Sequence, residues 1–123
     1  MNLIVKHKEP IDGFTVYLKL FQLYKSFLLM ISDHANMGIG NVTLGNPSTI
    51  EGMKPISTSY NVFGFKNNLL STIISERASF VLKSPVLLLL FLKTKKNEEE
   101  ILKPLTNFVN RALEKIPGNL EKC

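Results

Sequence analysis

The order of hydrophobic and polar positions predicts β-strands in the first half of the chain. Residues 14–23 alternate in character, which is typical of a strand with one buried face. One side of this strand carries aliphatic residues and the other a mixed set: Val16, Leu18 and Leu20 against Tyr17, Lys19 and Phe21. Residues 26–31 and 38–44 are predicted to form a hairpin across the turn-type residues between them. A fourth strand is predicted over 55–62, with Pro55 at its start, where a missing N–H matters least.

The apolar period then changes to that of a helix. Apolar residues recurring at helical spacing predict one amphipathic helix: Leu69, Leu70, Ile73, Ile74, Ala78 and Val81. Asn67 or Asn68 can cap its start, and Pro85 ends it, because the residue before a proline is pushed out of the α region. Four polar residues are expected off this stripe or near its edge: Ser71, Ser75, Glu76 and Lys83.

Residues Val86 to Leu92 form an apolar run without alternation. A strand that is apolar on both sides has to be covered on both sides, so this run is predicted to lie centrally in the sheet with helices over one face. The predicted elements leave nothing to cover the other face. A bare apolar patch of more than a few hundred Å² usually marks an interface, so this second face is expected to be used for dimerisation.

A last helix is predicted to follow that strand. Asn97 caps it, and the acidic run at 98–100 faces the positive end of the helix dipole. One apolar face continues to Ile116, and Pro117-Gly118 ends the helix. Pro104 falls inside the pattern, where it should kink the helix or mark its true first turn.

These elements predict an α+β fold. Its sheet is mainly antiparallel, with five to six strands and two amphipathic helices in the order β-β-β-β-α-β-α. Residues 1–13 are expected to be a loosely ordered amino-terminal segment, 14–117 a single domain and 118–123 a tail. At 123 residues the chain fits one domain that buries a core without disulfides, and its single cysteine, Cys123, cannot form an internal bridge.

The formal net charge of +5 leaves nucleic acid, an anionic membrane or an acidic protein surface open as partners. Lysines outnumber arginines and are scattered along the chain, which disfavours nucleic-acid binding, since arginine is the residue that matches phosphate geometry. The first ten residues lack the apolar core of a signal peptide, and no run approaches the length of a membrane span. A cytoplasmic location is expected, with access to the nucleus at this size.

Catalytic chemistry is not indicated. His7 lies in the amino-terminal segment and His34 in a turn, so both are expected to be solvated, and neither stands near a nucleophile in sequence. Gly38-Ile39-Gly40 lacks the third glycine and the helix of a phosphate loop. The carboxylates at 98–100 point about 100° apart on a helix and cannot converge on one metal ion. No catalytic residue, metal or cofactor is therefore predicted.

The candidate site residues are expected to contact other proteins. Two lie on the exposed side of the first helix, Glu76 and Lys83, and three follow the apolar strand, Lys93, Lys95 and Lys96. A solvated connection explains the three lysines as well, since charge runs usually lie in water. As a basic lip they would meet an acidic partner and steer its approach.

Several short sequence motifs resemble those of the proteasome assembly chaperone 3 family and its close relative, the chaperone 4 family. They are Met37-Gly38, Leu44 with Pro47-Ser48, Lys54-Pro55-Ile56-Ser57-Thr58 and Gly64, followed by the apolar strand and the amphipathic last helix. The resemblance covers roughly residues 14–115 and does not separate the two families.

The resemblance implies a chaperone that uses no ATP. It would dimerise with itself or with a chaperone 4-like partner and would promote α-ring formation by holding proteasome α-subunits, alpha-5 in particular. One alternative is a dimeric scaffold of the roadblock or longin type that binds GTPases, against which the four strands before the first helix count. The third hypothesis is a small enzyme, which would need a cleft of converging polar groups.

Overall fold

The computed structural model describes residues 2–11, 13–38, 40–47, 56–61, 68–94 and 96–116. Within these residues the chain forms six strands and two helices: β1 (Asn2–Ile11), β2 (Phe14–Leu23), β3 (Ser26–Ser32), β4 (Asn41–Asn46), β5 (Ile56–Asn61), α1 (Asn68–Leu82), β6 (Val86–Phe91) and α2 (Glu98–Leu113). The predicted α+β class is confirmed, and so is the predicted element order from Phe14 onward.

The strands form one mixed sheet in the order β1-β2-β3-β6-β4-β5. Every neighbouring pair is antiparallel except β3 and β6, which run parallel. The predicted hairpin between 26–31 and 38–44 is wrong, because β6 lies between β3 and β4 and pairs with both. A strand with apolar side chains on both sides gains most from this central position, where two neighbours flank it.

The amino-terminal prediction is also wrong. Residues expected to be loosely ordered form the ten-residue edge strand β1, which pairs with β2 along its length. Val5 and Ile11 of β1 are buried in the common core. Five strands therefore precede α1, not four.

Helix α1 packs on β4, β5 and β6, and α2 packs on α1 and β1, so both helices lie on one face of the sheet. The core between the layers is aliphatic with two aromatic rings, Phe27 of β3 and Phe108 of α2. Its strand residues include Val86, Leu88 and Leu90 of β6, all 0% exposed. The prediction that helices cover one side of this strand is confirmed.

The buried side of α1 differs from the predicted stripe. Leu70, Ile74 and Ala78 are buried as expected, but Leu69 and Val81 are 46% and 39% exposed. A column of serines is buried in their place: Ser71, Ser75 and Ser79. These small side chains let the helix approach β4 closely, and Ser75 and Ser79 each donate their hydroxyl to a carbonyl three residues back, at Thr72 and Glu76.

Glycine in β4 completes this close approach. A Cβ added at Gly45 would lie 2.6 Å from the backbone oxygen of Ser75 and 2.9 Å from its carbonyl carbon. Such distances are well inside van der Waals contact, so any larger residue would have to push α1 away from the sheet.

Helix α2 begins as predicted. Asn97 has extended backbone angles, and its Oδ1 accepts a hydrogen bond of 3.0 Å from the amide of Glu100. Pro104 lies inside a continuous helix that starts at Glu98, so the prediction that it marks the first turn is wrong. Its missing N–H leaves the carbonyl of Glu100 without its usual helical donor, and the exposure of Glu100 lets water serve instead.

Candidate protein-interaction surfaces

The sheet has two faces of different character, which the strand register defines. Toward the helices, one row across four strands consists of Val5, Leu20, Leu29 and Leu88, each opposite the next. All four are at most 4% exposed. We call the other side the open face, because none of the described helices packs on it.

The open face is apolar across its centre. Two adjacent rows follow from the register: Leu3, Phe21, Leu28, Leu87 and Leu44 in one, and Lys6, Lys19, Met30, Leu89 and Val42 in the next. Leu28, Met30, Leu87, Leu89 and Val42 are half-buried, while Leu44 and Leu3 are 41% and 48% exposed. Neighbouring side chains shield one another within the sheet, but no described element packs on top of them, so this surface resembles half of a core.

A loop covers one end of the open face. Gly38 lies against the ring of Phe91, so closely that a Cβ there would come within 2.9 Å of the ring. The hydroxyl of Ser32, in the same row, accepts a 2.9 Å hydrogen bond from the amide of His34. The loop at 33–38 therefore seals the row of Ser32 and Phe91 and leaves the two apolar rows uncovered.

A basic cluster occupies the corner of the open face at β1 and β2. Lys6 lies directly opposite Lys19, and Lys8 lies directly opposite Tyr17. Together with Ala35 and Met37 of the loop, these four side chains line a cavity of about 440 Å³. None of the three lysines makes a salt bridge within the part of the chain that the structure describes.

The outer side of α1 carries a second apolar patch. Phe80 is 62% exposed, and Leu69 and Val81 lie exposed on the same helix. Of the two residues predicted here, Lys83 is exposed at the end of the helix with a left-handed φ of 54°, and Glu76 is half-buried. Glu76 is therefore on α1, whereas Lys83 is the first residue after it.

The predicted lysines after β6 lie at the opposite end of that strand from Lys83. The carboxylate of Asp33 accepts 2.8 Å hydrogen bonds from the backbone amides of Lys93 and Thr94, which fixes the start of the connection. The ammonium of Lys93 lies 5.9 Å from the centre of the Phe91 ring. Lys96 is half-buried, and Lys95 lies outside the described residues. The structure therefore does not bring all the predicted site residues together.

An ionic cluster joins β1 to α2 on the helix side. Glu9 accepts hydrogen bonds of 2.9 and 3.1 Å from Nε of Arg111, and its Oε2 lies 2.7 Å from Nε2 of His7. The Nζ of Lys115 lies 2.6 Å from Nδ1 of His7, and both contacts fit the tautomer with its hydrogen on Nε2. The hydrogen bond from Arg111, and then that from His7, holds the pKa of Glu9 below its usual value.

The two histidines differ in their surroundings. The side chain of His7 is 10% exposed and its ring lies 5.1 Å from that of Phe108, so the expectation that it is solvated is wrong. The side chain of His34 is 53% exposed, as expected of a turn histidine. Sequence reasoning missed the partners of His7 because they come from α2, about a hundred residues away.

Neither a metal site nor a membrane-spanning helix is found in the described ranges. No group of three or more histidine, cysteine or acidic residues is close enough to hold an ion there. The helices found in the same part of the chain are too short or too polar to cross a bilayer.

Sequence comparisons give no relative of known function. No protein-family model matches the chain, and no curated protein matches it either. The fold gives a clearer result. It is similar to that of a chain in a yeast chaperone complex for 20S proteasome assembly. The TM-score is 0.62 over 93% of this chain and 94% of that chain, with 6% sequence identity. At this identity the similarity shows a shared fold, which extends over nearly the whole of both chains.

Proposed function

We propose that this protein is an assembly chaperone of the proteasome core particle that acts by binding other proteins. It packs its open face on a partner chain to form a dimer, and the dimer holds proteasome α-subunits, alpha-5 in particular, while they close into a ring. The partner is a chaperone 4-like chain or a second copy. No ATP, metal or catalytic residue takes part, and the work is done in the cytoplasm, with access to the nucleus.

The open face is the observation that carries this proposal. A monomeric soluble protein rarely leaves two adjacent apolar rows across a sheet uncovered, because each half-buried leucine or methionine gains free energy when a partner removes it from water. The fold similarity supports the choice of partner, since the yeast chain of the same fold belongs to a complex for 20S proteasome assembly.

The candidate contacts with an α-subunit are the residues predicted from sequence. Lys93, Lys95 and Lys96 follow β6 in the sequence, Glu76 lies on α1, and Lys83 comes directly after α1. Charges at the rim of an interface steer encounters more than they hold the complex, so reversing the three lysines is expected to slow association at low salt and to leave folding intact. Association rates that stay unchanged at low salt would remove these lysines from the interface.

A pull-down tests the proposal directly. The tagged protein, expressed in cells at native level, is expected to recover free α-subunits and a small chaperone chain, and no mature 20S particle. A matched variant, Leu89→Asp, places a charge in the middle of the open face and should lose the small chain while remaining folded. Recovery of neither class by the wild-type protein would reject the proposal.

The scaffold alternative gains no support from the fold. Five strands precede α1, and the four predicted from sequence were already too many for a roadblock or longin domain. The same pull-down separates the two proposals, because a scaffold of that type would recover GTPases or membrane tethers.

A further inference from the structure

The open face is charged at one corner and apolar across its centre. Lys6 and Lys19 are register partners on β1 and β2, and Lys8 follows in the adjacent row beside Tyr17. Like charges placed directly opposite one another on a sheet destabilise it. The Lys6–Lys19 pair at the rim of the apolar surface therefore adds no stability to the isolated chain.

No carboxylate on the described part of the open face neutralises this corner. The carboxylates that the structure describes are engaged elsewhere or carried by the helices: Glu9 on Arg111, Asp33 on the backbone of Lys93 and Thr94, and Glu76, Glu98, Glu99, Glu100 and Glu114 on α1 and α2 or just beyond. Strands β4 and β5, at the far side of the sheet, contain no acidic residue in their sequences.

This distribution of charge bears on the identity of the partner. Two copies of the chain packed through their open faces would place each basic corner over apolar rows, over β4 and β5, or over the partner copy's own lysines. None of these surfaces supplies a carboxylate from the residues that the structure describes, so each copy would partly desolvate three ammonium groups without compensation from them. Among the described surfaces, charge complementarity therefore favours a different, acidic protein over a second copy.

We infer that the corner formed by Lys6, Lys8, Lys19 and Tyr17 is a binding site for a carboxylate-rich segment of a second, non-identical protein packed on the open face. The cavity of about 440 Å³, which Ala35 and Met37 also line, has room for one or two acidic side chains. Lysine ammonium groups and the Tyr17 phenol can all donate to carboxylates, and the two loop side chains add an apolar wall. The inference rests on the proposed function for its use of the open face as an interface.

The site is tested first without any cellular partner. The probe is hexaglutamate with both ends blocked, titrated into the full chain at low salt and followed by the backbone amide signals of β1 and β2. Saturable shifts confined to this corner are expected, and Lys6→Glu/Lys19→Glu should weaken binding about tenfold or more, because several charge contacts are lost or reversed together. The control, Lys25→Glu/Lys103→Glu, changes the net charge equally and should bind as the wild type does.

Two further probes separate carboxylate recognition from general anion binding. Inorganic phosphate at the same ionic strength, and vesicles with one-fifth phosphatidylserine, are each titrated in place of the peptide. Equal shifts with phosphate, or binding to the vesicles without binding to the peptide, would overturn the inference. So would a control variant that loses the peptide as fully as the corner variant does.

A single substitution gives an independent signature. Lys6→Glu places an acid opposite Lys19 and removes the like-charge pair, so the unfolding temperature should rise while peptide binding falls. A structural role would move both in the same direction.

The pull-down then distinguishes this inference from the proposed function. If wild-type protein recovers α-subunits and a small chaperone chain and the corner variant recovers them equally, the function stands and the inference fails. If the wild-type protein sediments as a dimer of itself, unaffected by salt or by the corner variant, the inference fails as well. Both are supported if the wild type and the Lys25→Glu/Lys103→Glu control recover the small chain and the corner variant does not.

Discussion

Leu88 and Leu89 are neighbours on β6 that point to opposite faces of the sheet, so they allow the same substitution to be compared in two environments. Leu88 is 0% exposed beneath the helices, and Leu89 is half-buried on the open face between Met30 and Val42. Leu88→Ala should lower the free energy of unfolding by about 2–5 kcal/mol, because it removes buried carbon worth about 2 kcal/mol and leaves a cavity.

Leu89→Ala should behave differently in the isolated chain. Its side chain is partly in water already and no closed cavity forms, so a loss of about 1 kcal/mol is expected. In the complex, Leu89→Ala is expected to have the larger effect on association. A partner that covers the open face buries Leu89 fully, and truncating it should weaken association by about tenfold or more, whereas Leu88 makes no direct contact with the partner.

Urea denaturation of the two variants measures the first quantity, and sedimentation with the recovered partner chain measures the second. Circular dichroism at low denaturant confirms that both variants are folded before the comparison is made. Equal destabilisation by the two substitutions in the isolated chain would mean that the open face is sealed within one subunit, and the argument from sheet to assembly would fail.

Three further predictions concern the fold itself. Gly45→Ala should cost about 1–3 kcal/mol in urea denaturation, because its Cβ would meet the Ser75 carbonyl, and a cost near zero would contradict the close packing. Asn97→Ala should cost about 0.5–2 kcal/mol through loss of the helix cap, with Asn97→Asp as the control that keeps it. Glu9→Gln should destabilise the protein at neutral pH. Because the folded pKa of Glu9 is lowered by Arg111, that stability is present above the unfolded value near 4.5 and is lost as pH falls through the lowered folded value, so wild type and variant should converge at pH well below 4.5. A difference that persists at low pH would mean that Glu9 contributes by packing.

The elements with strong local signals could be predicted from the sequence. The seven-residue apolar run indicated a central strand, because a strand with apolar side chains on both sides gains most where neighbouring strands flank it. Asn97 and the acids after it indicated the start of α2, because capping and dipole effects act within one turn. Both depend on residues that are close in the chain.

The errors concern contacts between distant residues. Strand β1 carries charged residues at most of its polar positions. It is ordered through pairing with β2 and through the ion pair between Glu9 and Arg111 of α2. The insertion of β6 between β3 and β4 joins strands separated by a whole helix, so the local pattern predicted a hairpin instead. Ser71 and Ser75 are predicted off the apolar stripe or near its edge, because hydrophobicity alone does not show where a helix packs so closely on a sheet that small side chains are buried.

The candidate site was predicted in part for the same reason. The uncovered second face of β6 could be predicted from the apolar run of that strand alone, and in the structure it is part of the open face. The basic corner requires the pairing of β1 with β2, since Lys6 and Lys19 become neighbours only in that register. Alternation in 14–23 did place Lys19 on the same side as Tyr17 and Phe21, which is the one local signal that pointed to this corner.

The central claim is that the open face is covered by another protein during proteasome assembly. A photo-crosslinking residue placed at Leu89 in living cells tests it most directly, with Lys103 on the exposed side of α2 as the control position. We expect the probe at 89 to give one adduct with a small chaperone chain and the probe at 103 to give none of that mass. An absence of adducts at 89, with α-subunits still recovered by the unmodified protein, would contradict the account.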